Sequence, residues 1–302
     1  MKEIGYLVKR NSLLFLRERS AVFFSLLSML IVLALMVIFL GRMNSQTLVD
    51  LLSEWGGERD LAADERNAAY LIQLWTLAGI LVVNAVTVTL TVTGIMVQDE
   101  TEKRLAAFYV TPVSRLKLSL GYILSAWLVG TGMCLLTLAA GEGYFALRGY
   151  GLLGAGSVLA LGGIIALNTF VFATIAYLFA LSVHNSSAWS GLLTIVGTLV
   201  GFVGGIYLPM DSLSAPVQSA LKCLPVLHGA SMMREVCTEE AIVETFAGMP
   251  QGAEDIFREA MGISVMAGEH KFSPGEQVLI LLLYAIIAIV AGAALSRRRK
   301  LR

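Results

Sequence analysis

Charged residues are scarce in this 302-residue sequence: Asp, Glu, Lys and Arg together make up 15% of it, whereas hydrophobic residues make up 57%. The mean hydropathy is +0.76, outside the balance that is usual for soluble globular domains. A soluble domain is therefore disfavoured, and a membrane protein is the first hypothesis. The formal net charge of zero gives no indication of a nucleic-acid partner, and we predict none.

Motifs for enzymatic chemistry are also lacking. The sequence contains no GxxxxGK[ST] phosphate loop, no HExxH, no GxSxG and no calcium-binding D-x-D-x-D-G series. Only three histidines are present, and His228 is better read as a packed or surface residue than as a ligand. We therefore predict no catalytic residue, no metal site and no cofactor bound by this chain.

Cysteine is rare too, with three residues. Cys134 falls within an apolar run and is read as a small apolar side chain. Cys223 and Cys237 fall in the largest hydrophilic segment, where they would form a disulfide in an oxidising compartment or remain free thiols.

What the sequence does contain is long runs without any charged residue, at 21–41, 71–97, 118–141, 149–210 and 277–296. A helix of about 20 apolar residues crosses a bilayer. The run 149–210 is too long for one crossing, and His184-Asn185-Ser186-Ser187 is the polar cluster able to turn the chain there. The runs thus predict six spans, which must be helical because lipid offers backbone groups no hydrogen-bond partner. This overrules the strand-like alternation of 87–93.

The predicted fold class is an all-α integral membrane protein, with a single transmembrane domain over residues 1–302. It has six transmembrane helices, an N-terminal amphipathic interfacial helix, a cytoplasmic coupling helix and an external re-entrant helix. The predicted bounds are 1–19 for the amphipathic helix, about 21–41, 71–97, 118–140, 153–183, 188–208 and 277–296 for the spans, 98–117 for a cytoplasmic loop and 209–276 for an external segment.

The basic residues predict the orientation. With six spans both termini lie on one side, and the segments on that side carry 14 of the 22 Lys and Arg residues and five of the 22 acidic residues. Basic residues near the ends of spans favour the cytoplasmic side. We therefore expect a multi-pass protein of the cytoplasmic (cell) membrane, with both termini in the cytoplasm.

The first 19 residues have the pattern of an amphipathic helix. Basic residues lie near one helical face and apolar residues near another, as in helices that lie on a membrane surface. A simple positively charged anchor is the alternative. The apolar run that follows is about twice as long as that of a signal peptide, and no small-residue cleavage site follows it, so we expect a retained span.

A charged segment separates the second and third predicted spans. Asp99 and Glu102 have the spacing of a capping box that begins a short helix, which Pro112 ends. Thr111 is then expected to cap the next helix, with Pro112 in its first turn. Such an element, tied at both ends to transmembrane helices, would carry force into the membrane. An ordinary charged loop is the alternative.

Two patches of sequence resemble ABC-2 type permeases, the membrane subunits of a class of ATP-driven exporters. The first runs from Gln98 to Trp127 and includes TPVSRLKLSLGYILSAW, with Thr111-Pro112-Val113-Ser114-Arg115 and Gly121 at the matching positions. The second is GGIYLPMDSLSAPVQSALKCLPVLHGASMMREV, whose matching residues are Gly204, Gly205, Pro209, Pro216, Pro225 and Arg234. The chain departs from the family at Lys103-Arg104, where a Gly-Thr pair is frequent.

The resemblance implies that residues 99–110 form a coupling helix received by a cytoplasmic ABC ATPase subunit, with ATP and Mg on that partner. It also implies a homodimer or a pair with a paralogous permease in the lipid bilayer. The ATPase-coupling residues would be Asp99, Glu100, Glu102, Lys103, Arg104, Leu105, Phe108, Tyr109, Pro112 and Arg115. The expected activity is outward export of an amphipathic or hydrophobic cargo, such as a drug, peptide antibiotic, toxin or lipid-like molecule.

Polar residues inside the spans are candidates for the translocation path. Asn84, Thr87 and Thr91 lie at helical spacings in the second span, and Asn168 and Thr169 lie in the fourth. Polar groups in spans face protein or water rather than lipid, so packing between helices is the alternative role. The proposed spans carry no charge, which disfavours ion-coupled carriers.

Glycines in the fifth span predict close helix packing. Gly197 and Gly201 form a small-xxx-small pair, and Gly204 follows it. Packing within one chain and packing between two chains both remain open.

The external segment is predicted to contain a re-entrant helix at 216–224 and a longer helix at 228–246, and the segment 41–70 is expected to be a loop on the same side. Two other classes compete with the ABC permease. A secondary transporter or channel would need no ATPase partner and would show internal repeats, and a membrane-bound assembly factor would also function without an ATPase.

Overall fold

The computed structural model describes residues 2–35, 41–55, 59–105, 113–204, 209–250 and 252–298. Its helices are α1 Lys2–Arg17, α2 Arg19–Leu35, α3 Gly41–Trp55, α4 Leu61–Thr101, α5 Arg115–Leu147, α6 Ala155–Ala180, α7 Ser186–Val203, α8 Ala215–Lys222, α9 Pro225–Thr245, α10 Ala253–Ala260 and α11 Pro274–Arg298. A 3-10 turn spans Met210–Ser212, and strands β1 Met266–Ala267 and β2 His270–Lys271 form a small antiparallel ladder. The all-α class is confirmed.

Five helices of the described chain are long and apolar enough to cross a membrane: α4, α5, α6, α7 and α11. They coincide with five of the six predicted spans. The helix of the first predicted span, α2, has 17 residues, and residues 36–40 beyond it lie outside the described chain. The six-span count therefore stays a prediction.

The turn that divides the long apolar run is confirmed. Helix α6 ends at Ala180, and Asn185 caps α7, because its side-chain oxygen accepts a hydrogen bond from the Ala188 N–H at 2.7 Å. A side-chain oxygen at this position satisfies one of the orphan donors of the first helical turn. The strand-like alternation of 87–93 lies within α4 and is helical.

Helix α4 is the centre of the fold. It is 41 residues long and contacts α3, α5, α6, α7 and α9. Asp60 begins it by accepting a hydrogen bond from the Ala62 N–H at 3.0 Å. Because α4 is surrounded by protein along most of its length, it is the element through which the two ends of the bundle are connected.

The two ends of the bundle differ. The end of α4, the start of α5, the end of α6, the start of α7 and the end of α11 meet at one end, which we call the Asp99 end. The opposite end carries residues 209–273, which we call the cap. Helices predicted at 216–224 and 228–246 are present in the cap as α8 and α9. Whether α8 re-enters a membrane stays a prediction.

Two local predictions are wrong. The segment 41–70 is predicted to be a loop, but α3 occupies Gly41–Trp55 and buries Leu48 and Leu52. These leucines are one turn apart on the same helical face. Helix α5 begins at Arg115 after an N-cap at Ser114, whose hydroxyl accepts from the Lys117 N–H at 3.4 Å. The helix start predicted at Thr111 is therefore wrong, and Thr111 and Pro112 themselves lie outside the described residues.

Candidate functional site at the Asp99 end

A buried ion pair organises the Asp99 end. The Asp99 side chain has no exposed surface. It accepts two hydrogen bonds from the Arg10 guanidinium, at 2.6 and 2.8 Å, and one from the Tyr122 hydroxyl at 2.7 Å. We call Arg10, Asp99 and Tyr122 the Asp99 junction. It joins α1 to α4 through the bidentate Arg10–Asp99 ion pair, and α5 to α4 through the Tyr122 hydroxyl. A bidentate arginine–carboxylate pair is a strong and directional contact.

The Arg10 guanidinium keeps its charge in the Asp99 junction. The hydrogen bonds that it donates to the Asp99 carboxylate raise the pKa of Arg10 above its ordinary value, so Arg10 is charged at all physiological pH values. A buried ion pair contributes little net stability, but removing one partner leaves the other charge buried and uncompensated. The junction therefore restricts how α1 can sit against α4 and α5.

Helix α1 lies close against α5 because of a glycine. A β-carbon placed on Gly121 would lie 2.7 Å from the Leu7 β-carbon, which is closer than carbon atoms approach. The buried side chains of α1 are Leu7, Asn11 and Phe15. A second ion pair, Lys117 to Glu3 at 2.6 Å, holds the other end of the contact. The predicted amphipathic helix is thus present as a helix, packed along α5.

Beyond Asp99 the chain leaves α4 in an exposed turn. Helix α4 ends at Thr101, and Lys103 adopts a positive φ of 60°. Glu102, Lys103 and Arg104 are all exposed, and Arg104 contacts Glu102 and lies 3.8 Å from Asp99. Their charged groups are available to a partner while the turn itself is held by the end of a buried helix.

The same end is tied to the remaining helices by weaker contacts. Glu100 lies 3.2 Å from His184 in the turn before α7. The Ser186 hydroxyl donates to Thr101 at 3.4 Å. Arg115 donates to the Ser296 carbonyl of α11 at 3.1 Å. The end of α4, from which the exposed turn at 102–104 leaves, is therefore connected to the start of α7, and the start of α5 is connected to the end of α11.

The predicted ATPase-coupling residues divide into three groups. Glu102, Lys103, Arg104 and Arg115 are exposed, Glu100 is half-buried, and Leu105 is buried. Phe108, Tyr109 and Pro112 lie outside the described residues. Asp99 is buried within α4, so the prediction that it caps a separate short helix is wrong. The capping-box spacing is coincidental here, because Asp99 is bonded to Arg10 instead of to the backbone of a following turn.

Sequence reasoning missed Arg10 and Tyr122 as members of this site. One signal was available: Asp99 is the first charged residue after an uncharged run of 27 residues at 71–97, and a carboxylate so close to a span needs a cationic partner. Identifying Arg10 as that partner requires knowing how α1 is placed on α5.

The residues predicted for a translocation path lie between helices of this chain. Asn84 donates to the Thr137 hydroxyl at 2.9 Å, and the Thr169 and Thr131 hydroxyls lie 2.7 Å apart. These contacts join α4 to α5 and α5 to α6. Polar contacts between spans are typical of helix association in membranes.

The other three path candidates bond mainly to their own helices. Thr87 and Thr91 are half-buried and donate to carbonyls one turn earlier, and Asn168 donates to Ile164 at 3.0 Å. A β-carbon on Gly229 of α9 would lie 2.0 Å from Asn168, so α9 packs directly on this side chain. A role of these five residues in translocation stays a prediction.

The glycines of α7 do not share one environment. Gly201 is buried, whereas a β-carbon on Gly197 would meet no atom within 4 Å. The Gly204 carbonyl accepts a hydrogen bond from Arg234 at 2.8 Å. Only 17% of the 18 residues of α7 are buried inside the chain, so most of this helix faces outward. Gly201 and Gly204 thus pack within the chain, and Gly197 lies on an open surface.

Arg234 holds the cap onto the bundle. Its side chain is fully buried, stacks over Trp75 of α4 at 4.4 Å, and donates to the Met261 and Gly262 carbonyls at 3.3 Å as well as to Gly204. Burial lowers the pKa of Arg234 to about 9, so the guanidinium remains charged at neutral pH. Carbonyl oxygens and an aromatic face are the groups that stabilise a buried cation.

The three cysteines are free. Cys223 is exposed on the cap and Cys237 is buried in α9, so the structure contains no disulfide between them. Within the described residues no group of three or more His, Cys, Asp or Glu side chains could hold a metal ion.

These features define a multi-pass α-helical membrane protein, with a central helix that links a charged end to a folded cap. The chain belongs to the ABC-2 transporter family: a family profile described as "ABC-2 family transporter protein" matches residues 58–296. The resemblance seen in the sequence is confirmed, and the chain is a permease of ABC type that takes part in membrane transport without itself being catalytic. No curated protein matches the chain.

Proposed function

We propose that this chain is the membrane-spanning subunit of an ATP-driven exporter. It moves an amphipathic or hydrophobic cargo outward across the cell membrane, and a separate cytoplasmic subunit hydrolyses ATP. The observation that carries the proposal is the anchoring of the exposed 102–104 turn by the Asp99 junction. A surface that receives force from a partner has to be accessible and rigidly joined to the spans, and this turn has both properties.

In the proposed mechanism, movement of the ATPase displaces the 102–104 turn together with the end of α4. The Asp99 junction makes α1 and α5 move with α4, because a bidentate pair to a fully buried carboxylate resists stretching. Helix α4 contacts α6, α7 and α9 along its length. Displacement at the Asp99 end is therefore passed on to the interior polar contacts and to the cap.

The proposed orientation puts the Asp99 end in the cytoplasm. Its support is the concentration of Lys and Arg in the segments at this end and in the SRRRKLR tail. In this orientation α1 lies at the inner membrane surface and the cap lies outside.

We further propose that two copies of this chain, or this chain and a paralogue, form the transport unit. Helix α7 supports this proposal, because its outward face includes Gly197, where a neighbouring helix has space to approach. Gly197→Leu would fill that space without a clash inside the chain. A lower yield of crosslinked dimer is expected, and an unchanged yield would exclude this face as the interface.

The first test is purification of the chain from its native membranes in mild detergent, followed by mass spectrometry of the proteins that elute with it. A stoichiometric partner with a phosphate-loop motif is expected. A chain that elutes alone, while still dimeric, would contradict the proposal and favour a secondary transporter.

The second test is uncoupling. Reversing the charges of Glu102 and Lys103, together with Phe108→Ala, should leave membrane insertion intact but abolish cargo-stimulated ATP hydrolysis. Glu269→Lys, at an exposed position of the cap, is the control and should leave hydrolysis unchanged. Normal stimulation in the triple variant would overturn the assignment of the 102–104 turn.

A further inference from the structure

A cavity of about 590 Å³ lies at the cap end, between the start of α4, the segment 150–153 and α9. Its size falls within the range of small-molecule sites. Leu74, Cys237 and Ala241 form a buried apolar floor, and Tyr70 and Tyr150 form a wall. The cavity is separate from the Asp99 junction, at the other end of α4.

The aromatic wall is rigid. The rings of Tyr70 and Tyr150 are stacked, with centroids 4.9 Å apart and planes inclined by 13°. The Tyr70 ring also meets the edge of Phe145 at 5.6 Å, and its hydroxyl donates to the Gly151 carbonyl at 2.7 Å. A wall held from several sides presents aromatic surface to a ligand without further ordering of side chains.

The electrostatics of the cavity favour a cation. Glu240 and Glu244 line it from successive turns of α9, where like charges repel each other. Glu142 lies nearby, with one buried carboxylate oxygen that has no hydrogen-bond partner among the described residues. The carboxylates of Glu142, Glu240 and Glu244 all act electrostatically on Tyr70. A cation in the cavity would relieve this repulsion.

Arg66, the basic side chain among the lining residues, is not in direct contact with these carboxylates. Its guanidinium donates to the Gly149 carbonyl at 2.8 Å, and among the described residues it forms no salt bridge with Glu240 or Glu244. Asp60, also in the lining, is engaged in capping α4. The carboxylates are too dispersed for a metal ion, as judged over the described residues. An aromatic wall, an apolar floor and separated carboxylates suit a bulky organic cation.

We propose that this cavity binds an amphipathic organic cation, such as a quaternary ammonium or phosphonium ion. Its apolar groups lie against Leu74 and Ala241, and its positive charge lies between the tyrosine wall and the carboxylates of Glu240 and Glu244. As a statement about cargo this rests on the proposed export function, but binding itself does not, because the cavity is remote from the 102–104 turn.

The test is equilibrium dialysis of labelled tetraphenylphosphonium against the purified full-length chain in detergent, with empty micelles subtracted. Saturable binding is expected. Tetraphenylborate has nearly the same shape and the opposite charge, and labelled tetraphenylborate, dialysed in a separate experiment, should show no saturable binding. Saturable binding of this anion with equal affinity would overturn the proposal, and this comparison needs only the wild-type protein.

Two variants locate the site. Glu240→Gln with Glu244→Gln should weaken tetraphenylphosphonium binding about three- to tenfold, as expected for two exposed charges. Tyr150→Ala should weaken it by a similar factor, about threefold or more. Glu65→Gln, an exposed carboxylate of α4 outside the lining, is the matched control and should bind as wild type.

Binding that is unchanged in the double variant, with an unaltered melting temperature, would also overturn the proposal. A chain that does not bind tetraphenylphosphonium but still copurifies with an ATPase would contradict the proposed cation site and remain consistent with the export function. Conversely, a chain that binds this cation but has no ATPase partner would support the cation site and contradict only the export mechanism.

Discussion

At the scale of single residues, two charged side chains without exposed surface, Asp99 and Arg234, lie near the two ends of α4. Asp99 is bonded to Arg10 and Tyr122 at one end of the bundle, and Arg234 is surrounded by carbonyls and Trp75 at the other. Buried charges contribute more to specificity of arrangement than to net stability in some systems. Here each one selects a single placement for an adjoining element, α1 in the first case and the cap in the second.

The Asp99 junction gives the first prediction. Arg10→Leu removes the bidentate partner of the buried Asp99 carboxylate and leaves it with the Tyr122 hydroxyl and the more distant Arg104 guanidinium, 3.8 Å away. The variant should lower the free energy of unfolding by about 2–4 kcal/mol. The measurement is thermal or denaturant unfolding in detergent. Lys9→Leu, at the exposed neighbouring position, is the control and should cost less than about 0.5 kcal/mol.

The double variant Arg10→Leu with Asp99→Leu makes the comparison sharper. Removing both charges eliminates the buried uncompensated group, so part of the lost stability should return. A double variant that is less stable than the sum of the two single variants would contradict this account of the junction.

His228 gives a pH prediction. Burial lowers the pKa of His228 from its ordinary value of 6.5, and its Nδ1 is buried without a hydrogen-bond partner among the described residues. Between the lowered pKa and 6.5 the unfolded chain binds more protons than the folded chain, so stability is lost as pH falls through this window. The melting temperature should therefore drop on acidification from about pH 7.5 to pH 5.5.

His228→Gln isolates this contribution, because glutamine keeps a donor near the Lys222 carbonyl, which His228 contacts at 3.0 Å, but does not titrate. The variant should lose less stability than wild type over the same pH interval. An identical loss in both proteins would show that other groups, and not His228, are responsible.

At the scale of elements, glycine sets the distances between helices. A β-carbon would collide with a neighbouring side chain at Gly94, Gly121, Gly130 and Gly141, in each case within 2.8 Å. These four positions face α7, α1, α4 and α4 respectively. Close approach at small residues is the usual basis of helix packing in membranes, where apolar side chains gain nothing by leaving lipid.

Helix α5 offers a matched pair to test this. Gly121→Ala introduces a methyl group against Leu7 and should destabilise the protein by about 1–3 kcal/mol, as overpacking does. Gly132→Ala meets no atom within 4 Å and should be neutral or slightly stabilising, because alanine favours helix by about 1 kcal/mol over glycine.

Unfolding in detergent measures both variants. For Gly121→Ala, a cysteine crosslink between α1 and α5 should also form more slowly. Equal stability of the two variants would mean that α1 moves to accommodate the added methyl group and is not held at a fixed distance from α5.

At the scale of the whole molecule, the cap and the bundle are joined by the packing of α9 along α4 and by several directional hydrogen bonds. Trp75 of α4 donates its indole N–H to the Met261 carbonyl at 2.8 Å, and Arg234 bonds to the same turn. Arg59 adds a pair with Asp64 and bonds to the Thr245 and Ala247 carbonyls. These contacts fix the position of the cap relative to α4.

Arg234→Leu tests this connection. It removes charged hydrogen bonds to several buried carbonyls and should reduce stability by roughly 3 kcal/mol, with faster tryptic cleavage inside the cap than in the bundle. Arg148→Leu, at an exposed position of the same end, is the control. Cleavage that is uniform along the chain would contradict a selective role of Arg234 in holding the cap.

The sequence by itself determined that this is a helical membrane protein. An uncharged run long enough to cross a bilayer has to be helical, because only a helix satisfies its backbone hydrogen bonds within the run itself. The positions of α4, α5, α6, α7 and α11 therefore follow from local composition. The turn at His184-Asn185 and the N-terminal helix follow from local patterns in the same way.

Only the tertiary structure decided which residues meet across the bundle. Asp99 matches a capping box by its spacing, yet it bonds to Arg10, which is 89 positions away. Gly201 and Gly197 match one packing motif, yet one is buried and the other faces open space. Such pairings depend on how helices rotate and settle against each other, and helical periodicity specifies a face of a helix but not the neighbour that covers it.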